Sequence, residues 1–316
     1  MPVDPIEPIL TAETKRRTFL RTLLCLPLAS RIAWGRERTA TTGQLQGMTA
    51  RIPARTSECL TGSQFASYVS KMDPRQREQA IRGEILKGNL PQFLRTLVPV
   101  KLHSGTAGRK SSTATIFVTP DYLAIGSDDD FLRIPMNLHS AVAVADRFGS
   151  ILPTRKMVDT IYDQARYQLM PQPLPAGPEM RSTEYYVTHN QMIQKQARSL
   201  GVRLGELISG DKKDVVITNL LFHKAGRIAI YGWHRGPGEP IQPLSTFHGA
   251  NYADYSHGIR LVSDMALIEG KFQSVNDILR DPSESSLLSD EGPIPRIWEF
   301  LSQQEDSQTF AATTTN

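Results

Sequence analysis

The sequence predicts an α+β fold, with a mixed or antiparallel sheet and helices grouped around it. Two observations carry this. Residues 113–119, 122–125 and 131–134 are short β-branched or aromatic runs separated by Pro-Asp and Ser-Asp turns, and runs of the same kind return at 214–218, 227–233 and 258–262. Between them, 137–148, 154–169 and 182–200 carry helical spacing of apolar residues. Strands and helices therefore come in groups, whereas a doubly wound parallel sheet would alternate them.

Each element has a local reason. Asp73-Pro74 opens a helix, since Asp caps well and Pro suits the first helical position; Ile81, Ile85 and Leu86 give its apolar face and Gly88-Asn89 end it. Pro91 starts a short helix, and 105–112 reads as a loop. Thr154 is placed to cap a helix whose apolar positions are Met157, Val158, Ile161 and Tyr162. Four prolines between 171 and 178 mark a candidate internal boundary at 170–180. A helix is expected at 275–279 and another at 296–301. The resulting organisation is a leader at 1–39, a polar linker at 40–60, a globular region at 61–280 and a flexible tail at 281–316.

The chain has 316 residues, 40% of them hydrophobic and 22% charged, enough to bury a core and unlike a disordered chain. No apolar run approaches the ~18 residues of a membrane-spanning helix. Near the N-terminus, Arg16-Arg17-Thr18-Phe19-Leu20-Arg21 is followed by a weakly apolar stretch, 22–30. This segment, within 12–40, resembles the twin-arginine (Tat) signal of bacterial exported proteins, with Arg21 in place of the usual lysine. The resemblance implies recognition by the Tat translocation machinery, a periplasmic or extracellular location and no stable membrane span after cleavage. Residues beyond 39 hold 29 Lys/Arg and 28 Asp/Glu, so the remainder has no basic excess and no electrostatic case for binding nucleic acid. It keeps one cysteine, Cys59, and so no intrachain disulfide.

Residues 234–260 gather three of the seven histidines between two expected strands. His257 and Asp254 are three apart, and a turn joining them would give a carboxylate-oriented imidazole, the usual form of a general base. His234 and His248 are candidate supporting acid/base groups, and Arg260 a candidate clamp for an anionic substrate group. Adjacent Ser256 and His257 would face opposite ways on a strand, which argues against a Ser–His pair. Trp233, Tyr252 and Tyr255 could line a polymer-binding wall. The alternative use of His248, Asp254 and His257 is as zinc ligands. Asp211-Lys212-Lys213-Asp214 reads as a solvated turn, with the alternative that Lys213 or Asp214 reaches the histidine loop. His189, Asn190 and Gln194 fit an exposed helix face better than a cleft. There is no nucleophile elbow, P-loop, H-E-x-x-H or dinucleotide fingerprint. These features lead to an expected hydrolase or lyase acting on a cell-envelope or extracellular polymer. The alternative is a binding or structural protein that uses the same loop, its polymeric or small-molecule ligand unknown.

Overall fold

Helix α1 (Gly62–Val69) begins on a reciprocal cap. The Thr61 hydroxyl accepts from the Gln64 amide, and the Gln64 side chain accepts from the Thr61 amide at 2.9 Å. Asp73 and Gln76 repeat the device at α2 (Pro74–Leu86), where the sequence predicts the Asp73 cap, and Ile81 and Ile85 face inward. The computed structural model describes residues 48–104, 112–297 and 299–301, all within one unit, Glu37–Asn316. The leader and its Tat-like motif lie outside the described residues, as do 105–111 and 302–316. Among the described residues no helix is long and apolar enough to cross a membrane.

Strand β1 (Val98–His103) pairs antiparallel with β2 (Thr113–Val118), in register from Val98 opposite Val118 to His103 opposite Thr113. Strands β3 (Ala124–Gly126) and β4 (Phe131–Arg133) form a separate hairpin. Helix α3 (Leu138–Arg147) is capped by the Asn137 side chain, which accepts from Ser140 N at 2.9 Å. Strand β5 (Ser150–Ile151) follows, then α4 (Arg155–Gln164), capped by Thr154 through Met157 N at 3.2 Å. The helix expected to reach 169 stops at Gln164. Ala165 turns extended, and β6 (Tyr167–Gln168) pairs in parallel with β7 (Ile208–Ser209), beyond the long helix α5 (Thr183–Ser199).

A second sheet carries the histidine-rich region. It is built from β8 (Lys213–Val215), β9 (Ile230–His234), β10 (Pro240–Ser245) and β11 (His257–Gly258), in the order β10-β9-β8-β11, with the short helix α6 (Asn219–His223) after β8. β8 and β11 are parallel and the other pairs antiparallel. The fold is thus α+β with antiparallel and mixed sheets. The strand expected at 258–262 is two strands in two sheets. After β11 the chain crosses to the first sheet, where β12 (Val262–Ser263) lies between β2 and β5. β13 (Met265–Ile268) continues along the same edge of β2, and β14 (Lys271–Ser274) returns on it. Glu269 and Gly270, at φ 48° and 83°, make the tight turn between them. Helix α7 (Val275–Arg280) follows β14 directly.

Three organisational expectations change. The linker 40–60 is attached well before its end: Thr49 bridges Thr96, and Ile52 belongs to the core. Residues 170–180 do not divide the region into two units. The expected tail packs into the core through Leu287, Leu288, Ile294, Ile297 and Leu301, and residues 297 and 299–301 are helical as predicted. The apolar side chains there, spaced by Ser and Asp, read as polar sequence although they bury deeply.

Candidate functional site

The turn from Asp254 to His257 is built by local hydrogen bonds. Asp254 Oδ1 accepts from Ser256 N at 2.8 Å and from Ser256 Oγ at 2.5 Å, while Tyr252 Oη donates to Oδ2 at 3.1 Å. His257 N donates to the Asp254 carbonyl at 3.1 Å. That closes the turn and puts His257 Nε2 3.9 Å from Asp254 Oδ2, an ion-pair distance just beyond hydrogen bonding. The expected pairing of Asp254 with His257 is therefore present, and the Ser256 hydroxyl is committed to Asp254. His257 is fully buried, and neither ring nitrogen has a hydrogen-bond partner.

Electrostatics follow from that burial. Desolvation, against the pull of Asp254, lowers the His257 pKa to about 4, so the ring is neutral at pH 7. Burial alone would raise Asp254. The His257 imidazole, the Ser256 hydroxyl and amide and the Lys213 ammonium outweigh it and hold the carboxyl below its usual range. Above this pair, His248 stacks on Tyr252 with ring centroids 4.0 Å apart, and Tyr252 meets the His257 ring edge-on at 5.8 Å. Burial lowers His248 as well. Arg181 lies over the Tyr252 ring, its guanidinium 5.2 Å from the centroid.

The Asp211–Asp214 segment is not a solvated turn. Asp211, Lys212 and Asp214 are buried. Lys212 Nζ donates to the Tyr255 carbonyl at 2.6 Å, just ahead of the turn, and Lys213 Nζ lies 5.0 Å from the Trp233 ring centroid. Parallel pairing of β8 with β11 sets Lys213 opposite His257, which is how this segment reaches the histidine loop. A run of four charges reads as solvent-exposed. Only the pairing, which local sequence does not encode, shows otherwise. His189 is likewise buried rather than exposed. Its ring packs edge-on against Tyr255 at 4.9 Å and Trp233 at 6.3 Å, and burial lowers its pKa to about 2.

Two expected members lie elsewhere. His234 Nε2 is 2.9 Å from Asp159 Oδ1, which also accepts from Tyr231 Oη at 2.8 Å, and the ring stacks on Tyr162 at 4.6 Å. His234 thus has its own carboxylate, supplied by α4. Arg260 is wholly buried and donates to the carbonyls of Thr119 (2.7 Å) and Ile208 (2.8 Å). Its guanidinium also lies 4.4 Å from the Tyr122 ring centroid, and Tyr122 Oη donates to Asp214 Oδ2 at 2.9 Å. Arg260 ties β-strand connections together and has no face left for a substrate, contrary to the expected clamp. The aromatic wall is also reduced: Trp233 and Tyr255 are buried, and of the three only Tyr252 is partly exposed.

Trp233 adopts φ 59°, a left-handed conformation that costs a non-glycine residue roughly 1–3 kcal/mol. Among the described residues no group of three or more His, Cys, Asp or Glu is arranged to hold a metal ion. In the expected zinc set His248 and His257 both pack on the Tyr252 ring, His248 face to face and His257 edge-on. Compared with known protein families, characterised proteins and solved structures, the chain matches none of them.

Proposed function

We propose that the chain is an exported bacterial hydrolase or lyase acting on a cell-envelope or extracellular polymer, with His257 as acid/base group and Asp254 as its orienting carboxylate. The observation that supports this reading best is the neutral, unpaired His257 ring held 3.9 Å from a carboxylate kept ionised by its own turn. A neutral imidazole can take a proton from an attacking water, or from carbon in a lyase. The imidazolium so formed gains Asp254 as its counter-charge, then returns the proton to the leaving group. Tyr252 and the Ser256 hydroxyl fix the carboxylate during the cycle. Digestion of cell-wall sacculi and extracellular polysaccharides by the wild-type chain and by His257→Gln tests this. Soluble product is expected from the wild type and a loss of 10²-fold or more in the variant. Equal release by both, or none by the wild type on any polymer, overturns the reading.

Export rests on the Arg16-Arg17 motif; its lysine double substitution is expected to retain the chain in the cytoplasm. Zinc at His248, Asp254 and His257 is the alternative scheme. Metal analysis of the wild type beside His257→Ala decides this, and stoichiometric zinc lost in the variant would replace the metal-free scheme. A binding protein is the second reading. Phe247 is 78% exposed and meets His248 edge-on at 5.2 Å, extending the His248–Tyr252 stack outward as a platform for a ligand ring. Ligand retention without product in both wild type and His257→Gln would favour it.

A further inference from the structure

Two open cavities lie side by side along α5. The larger, about 730 Å³, is walled by Ser63, Ser67 and Ser70 from α1 and its C-cap and by Thr188 and Gln191 from α5. The smaller, about 280 Å³, has the half-buried Phe93 and the exposed Leu204 on its sides and the buried Asp121–Arg133 ion pair beneath them. Phe131 and Gln194 line both cavities, so the two adjoin there. Their lining on α5 runs from Thr183 to Arg198, ~22 Å of helix at ~1.5 Å per residue. The junction is held firmly. Asn190 Nδ2 and Gln194 Nε2 both donate to the Phe131 carbonyl, at 2.9 and 3.2 Å, and Asn190 Oδ1 accepts from Arg133 N at 3.1 Å.

Hydrogen-bond accounting defines what the larger cavity can take. Ser63 Oγ donates to Asp130 Oδ2 at 2.5 Å, Ser67 Oγ to the Ser63 carbonyl at 3.0 Å and Ser70 Oγ to the Ser67 carbonyl at 2.8 Å. Each hydroxyl has spent its one proton and keeps lone pairs to accept. Among the described residues the charged side chains lining this cavity are Asp130 and Glu184, which are acceptors too. An acceptor-rich wall suits a ligand rich in donors and disfavours an anionic one. Extended peptides are usually taken by an open strand edge or an apolar helix groove. The two helical walls here are polar, and Asn190 already occupies the outer edge of β4 through Phe131 O and Arg133 N.

We propose that this groove binds an oligosaccharide whose rings present hydroxyl or amine donors and carry no acidic groups. Its apolar ring faces pack on Phe93 and Leu204 in the smaller cavity, and its donors meet the serines and carboxylates of the larger one. The groove also leads toward the histidine turn. Ser182 borders the larger cavity, Arg181 before it lies over Tyr252, and the Met180 carbonyl accepts from the Tyr255 amide at 2.9 Å. The inference names a ligand class for the polymer considered above, but it does not rest on His257 being catalytic.

The test is calorimetric titration of the full chain with cello-oligosaccharides, which are neutral, chitosan oligosaccharides, which bear amines, and oligogalacturonates, which bear carboxylates, each as disaccharide and hexasaccharide, and with oligolysine. Ser67→Leu and Gln191→Leu, exposed helix positions inside the groove, are compared with Lys195→Gln, an exposed α5 position outside it. The neutral or the amine-bearing hexasaccharide is expected to bind about tenfold or more tighter than its disaccharide, because only the longer chain reaches both cavities. Ser67→Leu and Gln191→Leu are expected to weaken it about tenfold or more, and Lys195→Gln to leave it unchanged. Preference for the amine-bearing chain, reduced by salt, assigns an ammonium to Asp130 and Glu184, and equal binding of the two assigns hydroxyls. Circular dichroism identifies a variant that fails to fold, in which case the other groove variant and the length dependence carry the test. Binding of neither chain, binding indifferent to both groove variants, tighter binding of oligogalacturonate, or binding of oligolysine alone overturns the proposal. His257→Gln is expected to bind the hexasaccharide as the wild type does. If the wild type binds but turns nothing over, only the acid/base reading falls.

Discussion

Arg260 and His257 stand three residues apart and show how burial divides charged residues into different tasks. Arg260 spends its guanidinium on two backbone carbonyls and a phenol ring. Its Nε also lies 3.9 Å from the buried Asp214 carboxylate, so Arg260→Gln should destabilise the fold by about 3–5 kcal/mol, because it removes that charge partner and strands two buried carbonyls. Chemical denaturation at pH 7 measures this. A change below 1 kcal/mol would show that the guanidinium is dispensable. His257 acts through protons instead. Its folded pKa of about 4 lies below the ordinary 6.5, so in the pH window between them the unfolded chain binds a proton that the native one refuses. Stability is therefore lost as pH falls from about 6.5 to 4, by roughly 3 kcal/mol from this group. Asp214 works the other way. Burial raises its pKa to about 6, so the native state takes up a proton first between 6 and about 4 and is stabilised there. Comparing denaturation curves of the wild type and His257→Gln from pH 7 to pH 4.5 isolates the histidine. The wild type should lose more stability than the variant, and parallel profiles would refute the assignment.

At the scale of elements, what could be read in advance was local. Asp73, Asn137, Ser182 and Thr154 each cap a helix through their own side chains; the sequence places the helices at Asp73 and Thr154 partly for that reason, and those at 137–148 and 182–200 from their apolar spacing. The two-residue strands β5, β6, β7 and β12 carry no pattern of their own, and they exist because a distant strand pairs with them. The same limit applies to the site. The Asp254–His257 turn is a four-residue affair and was legible. The approach of Lys213 to His257 depends on the parallel pairing of β8 with β11, and the sequence offered it only as the alternative to a solvated turn. β11 also has a strict spatial demand. A Cβ on Gly258 would lie 2.5 Å from the Tyr122 ring and 2.8 Å from Lys212 Cβ. Gly258→Ala should therefore cost about 1–3 kcal/mol through overpacking and should shift the neighbouring His257. Thermal denaturation checks the first effect, and the imidazole NMR signals of His257 the second. An unchanged melting temperature would mean that Tyr122 yields freely.

For the whole molecule, the C-terminal residues matter more than their composition suggests. Leu287, Leu288, Ile294 and Ile297 join the same apolar cluster as β2, α3 and α4. Full burial of each such side chain contributes about 1.5–3 kcal/mol, so removing residues 281–316 withdraws an amount comparable with the net stability of a domain. The truncated chain is expected to be unfolded or rapidly proteolysed at 25 °C. A cooperative melting transition like that of the full chain would contradict this.

The path from β11 to β13 places the last pieces of the first sheet some 150 residues after its central strand, since Val262 pairs with Val118 and Leu267 with Thr115. A ribosome that has delivered β1 and β2 has produced a ribbon whose β2 edge is open, and must synthesise more than half of the remaining protein before that edge can close. Long-range closure of this kind folds slowly and leaves an exposed strand for seconds at ordinary elongation rates. The nascent chain consequently has a vulnerable interval that the finished protein does not, ended by the arrival of the strands that follow His257.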